Sequence, residues 1–586
     1  MLLYFNLSIY ILLFSFFSLS IFGYGYYLRE IISNNQSKAI GESGLYGFIS
    51  LYILSVVYHF FFNLNIYFTI SILIFGSLLS FRILRKNISL EKYKLKVILP
   101  FFLLILLLGA SNNPHDDVYL YQLPYISYLQ NQKLVFGLVN LNEFTAYSNS
   151  FYDIMALFKT PVLGNQAVYL IPTIFFMFFM IFLIENYNES SKIIKIFIYS
   201  IVILAFLRFT RSKEFGTDVP VICILFLIQF YILKFLENNE YEIINKILIL
   251  LTFAFFLKAY AALAAIYLFV FLKELKRIFK YNHNLKKTIL FIFTITIISL
   301  IKNIAHSGCV SYPIKISCFD KNLVSWSNGH DIVELRNKGL TAGARGIKPY
   351  IKNNRQDENI TAEEYLNKFK YSYHLNVVKD PDFKRLLIVF FIIFIFLFLS
   401  ILSKIRSNET HSNDSNINKI NLINLIILIL PTILWWVLIP ISKYGGYSYL
   451  LFGIFLACIY FNLFEYLNLK NLRIFLIISL IFFLGRNINR VIDEYNSDKY
   501  SNKNYPLPVY KYHEYKNEKI DNQVINVTNN LKRCGDIKFP CLERPHFDAV
   551  KSIKKIKGYL FIEGIKEKQI ESIKIEQKWA YNTNNN

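Results

Sequence analysis

The sequence predicts an all-α polytopic membrane protein, with about fourteen transmembrane helices and a small extracytoplasmic C-terminal tail domain. Three observations carry that prediction. Hydrophobic residues make up 54% of the 586-residue chain and charged residues 18%, against roughly 25% charged in an ordinary soluble domain. The apolar residues come in long blocks with no internal charge, such as VILPFFLLILLLGA and LLIVFFIIFIFLFLSILS, each following a Lys or Arg. Lys and Arg collect in the short segments between such blocks. A soluble fold has no means of burying this many helices that are apolar on every face.

Taken in order, the helix cores lie near 2–23, 45–63, 66–82, 96–110, 167–184, 193–208, 218–236, 245–257, 260–273, 287–302, 385–403, 419–441, 446–466 and 472–486. The first block lacks a basic leader and a small-residue cleavage site, so it reads as a retained helix. The two short cores around Lys258 read as a helix broken at the membrane surface or as a tight hairpin. No internal repeat is visible, which leaves no sign of the repeat architecture common among transporters. The chain divides into N-terminal helices (1–95), a core (96–486) with large loops at 111–166 and 303–384, and a tail (487–586).

Orientation follows from the basic loops. Segments 82–96 and 273–287 each hold six Lys or Arg, and 404–419 adds Lys404, Arg406 and Lys419, whereas 111–166 holds only Lys133 and Lys159. With fourteen helices the basic loops share one side, which the positive-inside tendency makes cytoplasmic. Both termini, both large loops and the tail are then extracytoplasmic, on a bacterial inner membrane. The net charge of +23 reads in the same way, as basic loops against anionic headgroups, and no nucleic-acid-binding signature accompanies it. Cysteine placement agrees. Cys309 and Cys318 share one outer loop and Cys534 and Cys541 share the tail, as disulfides of an oxidising compartment would. A metal site would need further ligands at fixed spacing.

The acidic segment SNNPHDDVYLYQLPYISYLQ carries the sharpest chemical signal. Asp116 and Asp117, preceded by His115, stand just beyond a membrane helix. Two carboxylates there could act as a general base or ligate a divalent metal, Mg or Mn; helix capping is the structural alternative. Tyr119, Tyr121, Tyr125 and Tyr128 suit a short helix lying among headgroups. In RFTRSKEFGTDVPV, Arg208, Arg211 and Lys213 suit a phosphate or pyrophosphate, and Asp218 reads as an N-cap that could also face a cavity. Lys258, inside an apolar run, is either functional or snorkelling. Lys443 lies in a glycine turn, ISKYGGY. Asp153 and Asp493 carry no such signal, and Asp→Asn at either is expected to be mild. GxxxxGK[ST], strand–GxGxxG–helix and GxSxG patterns are absent, which argues against a nucleotide-driven pump or a serine hydrolase.

This layout resembles the GT-C class of membrane glycosyltransferases, in which an acidic residue or pair in the first large outer loop is followed by interfacial helices. The matching residues are Asp116 and Asp117. More closely, the chain is similar to an uncharacterised family of large multi-pass bacterial inner-membrane proteins, through KLVFGLVNLN with AYSNSFYD, GTDVP, SGCVSYPIKISCFDKNLVSW and PISKYGGY. Where that family carries an Arg-Phe-Gly-like element, this chain has Ala146 or Lys443. The resemblance implies a polyprenyl-phosphate-linked sugar donor, a glycan acceptor and a role in cell-surface polysaccharide assembly. Asp116 or Asp117 would serve as base or metal ligand. An O-antigen polymerase or ligase using His330, Arg336 and Arg345 is one alternative. A lipid-linked-glycan flippase or other transporter is another, and it predicts charged residues deep in several helices.

Overall fold

The computed structural model describes residues 2–33, 39–87, 117–147, 149–161, 163–209, 216–345, 361–406, 421–467, 469–496, 514–528, 533–571 and 573. It is mostly helical. Among the described residues, seven helices are long and apolar enough to cross a membrane: Asn6–Ile32, Ile40–Phe61, Ile66–Arg85, Asn165–Tyr187, Asp218–Asn238, Leu285–Ser307 and Leu469–Asp493. Shorter apolar helices run over Ile243–Leu257 and Leu422–Leu438. The expected core at 96–110 lies outside the described residues.

The long helices divide by burial. Over an apolar stretch of 18 residues, Asn165–Tyr187 is 94% buried and Asp218–Asn238 83%, so these two form the centre of the bundle. The matching stretches of Leu285–Ser307 and Leu469–Asp493 are only 33% and 17% buried. Their outward faces are nonetheless apolar at helical spacing: Leu290, Phe293, Ile297 and Ile301 on one, Ile474, Ile477, Ile481 and Ile488 on the other, all exposed. Water would penalise such a surface and hydrocarbon would not.

Small residues let the first helices approach closely. A Cβ on Gly25 would stand 1.7 Å from Ser43 O, and one on Gly47 2.0 Å from Ile21 O. Backbone contact of this kind is the usual way apolar helices associate without a hydrophobic driving force between them.

At one end of the bundle, Glu42 is sealed between Lys246 Nζ at 2.6 Å, the Tyr231 hydroxyl, which donates to it at 2.9 Å, and Arg29 at 3.8 Å. Glu185 accepts from the Ile40 and Gly41 amides beside it. The opposite end carries the segment from Asp117, the loop after Leu285–Ser307 and the tail. Here the prediction of tyrosines among headgroups is corrected: Tyr119, Tyr125 and Tyr128 are buried. The reason is tertiary cover. Tyr128 packs against His306 and Phe539 (5.6 and 5.2 Å between ring centres), and Gly535 N–H donates to Tyr119 O.

The tail adds strands to the helices, with the short helix Arg544–Asp548 among them. Strands β1 (Tyr515–Ile520), β2 (Gln523–Thr528) and β3 (Cys541–Glu543) form a sheet in that order, antiparallel then parallel. Strands β4 (Val550–Ile556) and β5 (Tyr559–Gly564) form a hairpin. Its two turn residues, Lys557 and Gly558, have φ of 49° and 85°, the left-handed pair that a two-residue hairpin requires. Phe136 bridges Phe561 in parallel, so the hairpin continues into the loop after the acidic segment. Cys309 is joined to Cys318 and Cys534 to Cys541.

Candidate functional site

Each side chain of the candidate site stands at an element end. Asp117 precedes the turn Val118–Gln122, and its side chain makes no capping hydrogen bond there. Asp218 is the first residue of Asp218–Asn238; Thr217 occupies the cap position and likewise makes no side-chain cap bond. The expectation that Asp218 is an N-cap is therefore corrected. Its carboxylate is spent on Lys258, whose Nζ lies 3.3 Å from Oδ1. Lys258 ends Ile243–Leu257 in an extended conformation, and a 3-10 helix, Ala259–Glu274, starts at the next residue. The break is a hairpin that turns the lysine back toward the head of the neighbouring helix.

Lys443 comes from the turn Ser442–Gly446. Gly445 makes that turn possible: its φ is 81°, and a Cβ there would meet the Tyr449 ring at 2.6 Å. Lys258 and Lys443 both lie over the Tyr444 ring, at 5.4 and 5.6 Å, and Tyr444 stacks on Tyr260 at 5.3 Å. Cation–aromatic contacts hold the two ammonium groups at one wall without neutralising either.

Electrostatics tie these pieces together. Burial holds the Tyr121 hydroxyl above the ordinary tyrosine range, with Asp117 and Asp218 adding to the rise and Lys258 opposing it. Burial does the same to Tyr152, again reinforced by Tyr121, Asp218 and Asp117. Burial works against the charge on Lys443, yet Tyr444, Asp218 and Asp117 more than offset it, and its pKa is raised. Asp117, Asp218, Lys258 and Lys443 thus share one site, although they come from four separate stretches of chain. The Asp218 and Lys258 side chains remain 22% and 27% exposed, open enough to meet a ligand.

The other predicted residues fall differently. His115, Asp116, Arg211 and Lys213 lie outside the described residues. Arg208 sits at the same end but is engaged by Tyr447, over whose ring it lies at 5.4 Å and to whose hydroxyl oxygen its Nε donates. Of the late-loop residues, Arg336 lies 4.3 Å over Phe144, which stacks on Tyr121 at 5.5 Å. His330 instead faces Cys318 O at 3.0 Å, and Arg345 lies over Tyr373 at 4.5 Å. The disulfide cysteines are paired, and Gly535 beside Cys534 bonds Tyr119 O, so the tail disulfide backs the acidic segment.

A second group was not foreseen. Lys302 Nζ donates to both oxygens of Asp153 at 2.5 Å, and both side chains are almost fully buried. Around them the Tyr128 hydroxyl meets His306 Nε2 at 3.0 Å, and His59 Nε2 faces Gln132 O at 3.1 Å. Burial pushes the Asp153 carboxyl above its ordinary range, with Lys302 pulling it back. The expectation that Asp153→Asn is mild is corrected by this pairing. The one available signal was Lys302 itself, an ionisable residue at the end of an apolar run.

As to metals, the described residues hold no group of three or more His, Cys, Asp or Glu side chains. The carboxylates also face two ammonium groups. Asp116 and His115, the remaining donors expected beside Asp117, lie outside the described residues.

The chain belongs to the family described as Domain of unknown function (DUF8201), whose model matches residues 1–451. No curated protein and no solved structure matches it.

Proposed function

We propose that this member of the family is a membrane glycosyltransferase of GT-C type. In this reading it takes sugar from a polyprenyl-phosphate-linked donor at the outer face of a bacterial inner membrane. One observation carries the reading: two carboxylates, Asp117 and Asp218, and two ammonium groups, Lys258 and Lys443, meet at one end of an apolar bundle. Glycosyl transfer asks for that combination. An acceptor hydroxyl must lose a proton as it attacks, and a phosphate must leave with negative charge.

Asp117 is the base. Its neighbour Tyr121 is kept neutral by burial, able to hydrogen-bond the acceptor without competing for its proton. Asp218 keeps Lys258 charged and pointed at the site, and Lys258 with Lys443 receives the phosphate oxygens as they gain charge. Arg208 serves the bundle through Tyr447. In this reading about fourteen spans put Lys280 on the cytoplasmic side and both termini outside. Reporter fusions at Lys280 and at the C-terminus should therefore report opposite sides.

The test is Asp117→Asn. Asn keeps shape and removes the basic oxygen. Loss of a general base costs on the order of 10²–10⁴ in rate, so surface glycan should vanish while protein level and membrane insertion stay normal. Full product from Asp117→Asn would sink this assignment of the base. The transporter reading gains from the buried charges Glu42 and Arg29, with the half-buried Lys246 beside them, at the opposite end. It predicts that Glu42→Gln would stop glycan export with the lipid-linked precursor accumulating on the inner leaflet.

A further inference from the structure

The β4–β5 hairpin ends beside the mouth of the bundle. The Tyr559 hydroxyl donates to Phe60 O at 3.0 Å, which fastens the hairpin tip to the last turn of Ile40–Phe61. Lys133 Nζ lies over both the Phe62 and Tyr559 rings, at 6.0 and 5.5 Å. Next to this junction, apolar side chains are left in the open: Phe61 is 59% exposed, Phe62 53%, Tyr67 79%, and Ile556 at the hairpin tip 50%. Lys554, Lys555 and Lys557 surround Ile556 and are themselves exposed. Among the described residues, no carboxylate lies within ion-pairing distance of these three lysines or of Lys133. Lys551, further along the strand, does reach Glu563 at 3.8 Å.

We propose that this hairpin tip is a lipid-docking patch, and that its partner is the anionic phospholipid surface surrounding the bundle. Two features select that partner over a soluble one. The exposed aromatic rings stand where an apolar helix ends, which is the level at which amphipathic rings meet headgroups. The lysines ring an apolar side chain instead of covering it. That arrangement lets Ile556 enter the acyl boundary while the ammonium groups stay at the phosphates. The left-handed turn at Lys557–Gly558 presents Ile556 at the extreme tip, and the bond to Phe60 fixes its depth. The tail is thereby held at the membrane from which a lipid-linked substrate would come.

The inference rests on the membrane reading and not on the chemistry at Asp117. A fluorophore on Ile556→Cys, in a Cys223→Ala and Cys458→Ala background, reports it in the full chain reconstituted into vesicles. A quencher carried on the lipid near the headgroup should quench the label in equimolar phosphatidylcholine and phosphatidylglycerol, and far less in phosphatidylcholine alone. High salt should reverse the difference. Each of Lys554→Gln, Lys555→Gln and Lys557→Gln should lower the ratio of docked to undocked tip about fivefold, the usual effect of one basic residue near an anionic surface. Lys516→Gln and Lys538→Gln, on exposed tail positions elsewhere, should leave it unchanged. Equal quenching in both lipid mixtures, no quenching in either, or equal loss in the two control variants would each overturn the proposal. Carbonate extraction of the reconstituted chain separates these outcomes from a failure of the membrane reading, since an uninserted chain would be released.

Discussion

Two carboxylate–lysine pairs stand at the same end of the bundle. Asp153 and Lys302 meet at 2.5 Å with side chains 2% and 1% exposed, while Asp218 and Lys258 meet at 3.3 Å with 22% and 27% exposed. The sealed pair is closed by Tyr125, whose ring lies 5.5 Å from Lys302 Nζ, and by the His306–Tyr128 contact. The open pair has a second ammonium group beside it, on Lys443. Proximity of opposite charges is common to both, so it cannot by itself mark a site. Access does. A pair with no open face can only hold elements together, here the short helix Ser150–Met155 against Leu285–Ser307. A pair with an open face and a second ammonium group beside it can accept a ligand.

Variants at three places would break or sharpen that contrast. The largest effect is expected at the sealed pair. Asp153→Ala leaves the Lys302 ammonium buried and uncompensated, and breaking such a pair from one side costs about 3–5 kcal/mol. Thermal unfolding in detergent should show the loss, with Lys302→Met added to Asp153→Ala recovering much of it. If Asp153→Ala unfolds at the wild-type temperature, the pair is not structural.

The tail disulfide comes next. Replacing Cys534 and Cys541 by Ser opens a short loop, and the entropy model assigns such a closure about 2–3 kcal/mol. Because Gly535 and Ile537 in that loop bond Tyr119 and Ser127, hydrogen exchange should quicken over 119–131 and not in the central helices. Uniform quickening would argue against a local clamp. The smallest effect on stability is expected at the open pair, which keeps part of its surface in water, so Asp218→Asn should cost on the order of 1 kcal/mol. Under the proposed glycosyl transfer, glycan output should by contrast fall sharply. A stability loss as large as that of Asp153→Ala would erase the distinction between the two pairs.

Helices were legible in the sequence because their signal is local: a run of apolar residues needs no partner to be recognised. The same holds for Cys309–Cys318 and Cys534–Cys541, whose partners are a few residues apart. Candidate residues were legible one at a time, since Asp117, Asp218, Lys258 and Lys443 each stand at a charged break between apolar runs. Their meeting was not, because it depends on which helix ends come together. Asp153 and Lys302, 149 residues apart, fail for that reason. Lys302 stands out alone as an ionisable residue at the end of an apolar run, but Asp153 looks unremarkable until it is placed beside it. The buried tyrosines of 119–128 fail for another: a short amphipathic stretch reads alike whether lipid or a later part of the chain covers it. Here the tail covers it.

The bridge from Phe136 to Phe561 also imposes an order on the birth of the molecule. Residue 561 is synthesised 425 positions after residue 136 (561 − 136). At roughly 5–20 residues per second that interval lasts about 20–85 seconds. Throughout it the acidic segment has lost the shelter of the ribosome but lacks the strand that will border it. The cell must tolerate a half-built surface for that long. A chain interrupted just before the hairpin would carry the same open edge permanently, its apolar bundle complete and that end of it unfinished.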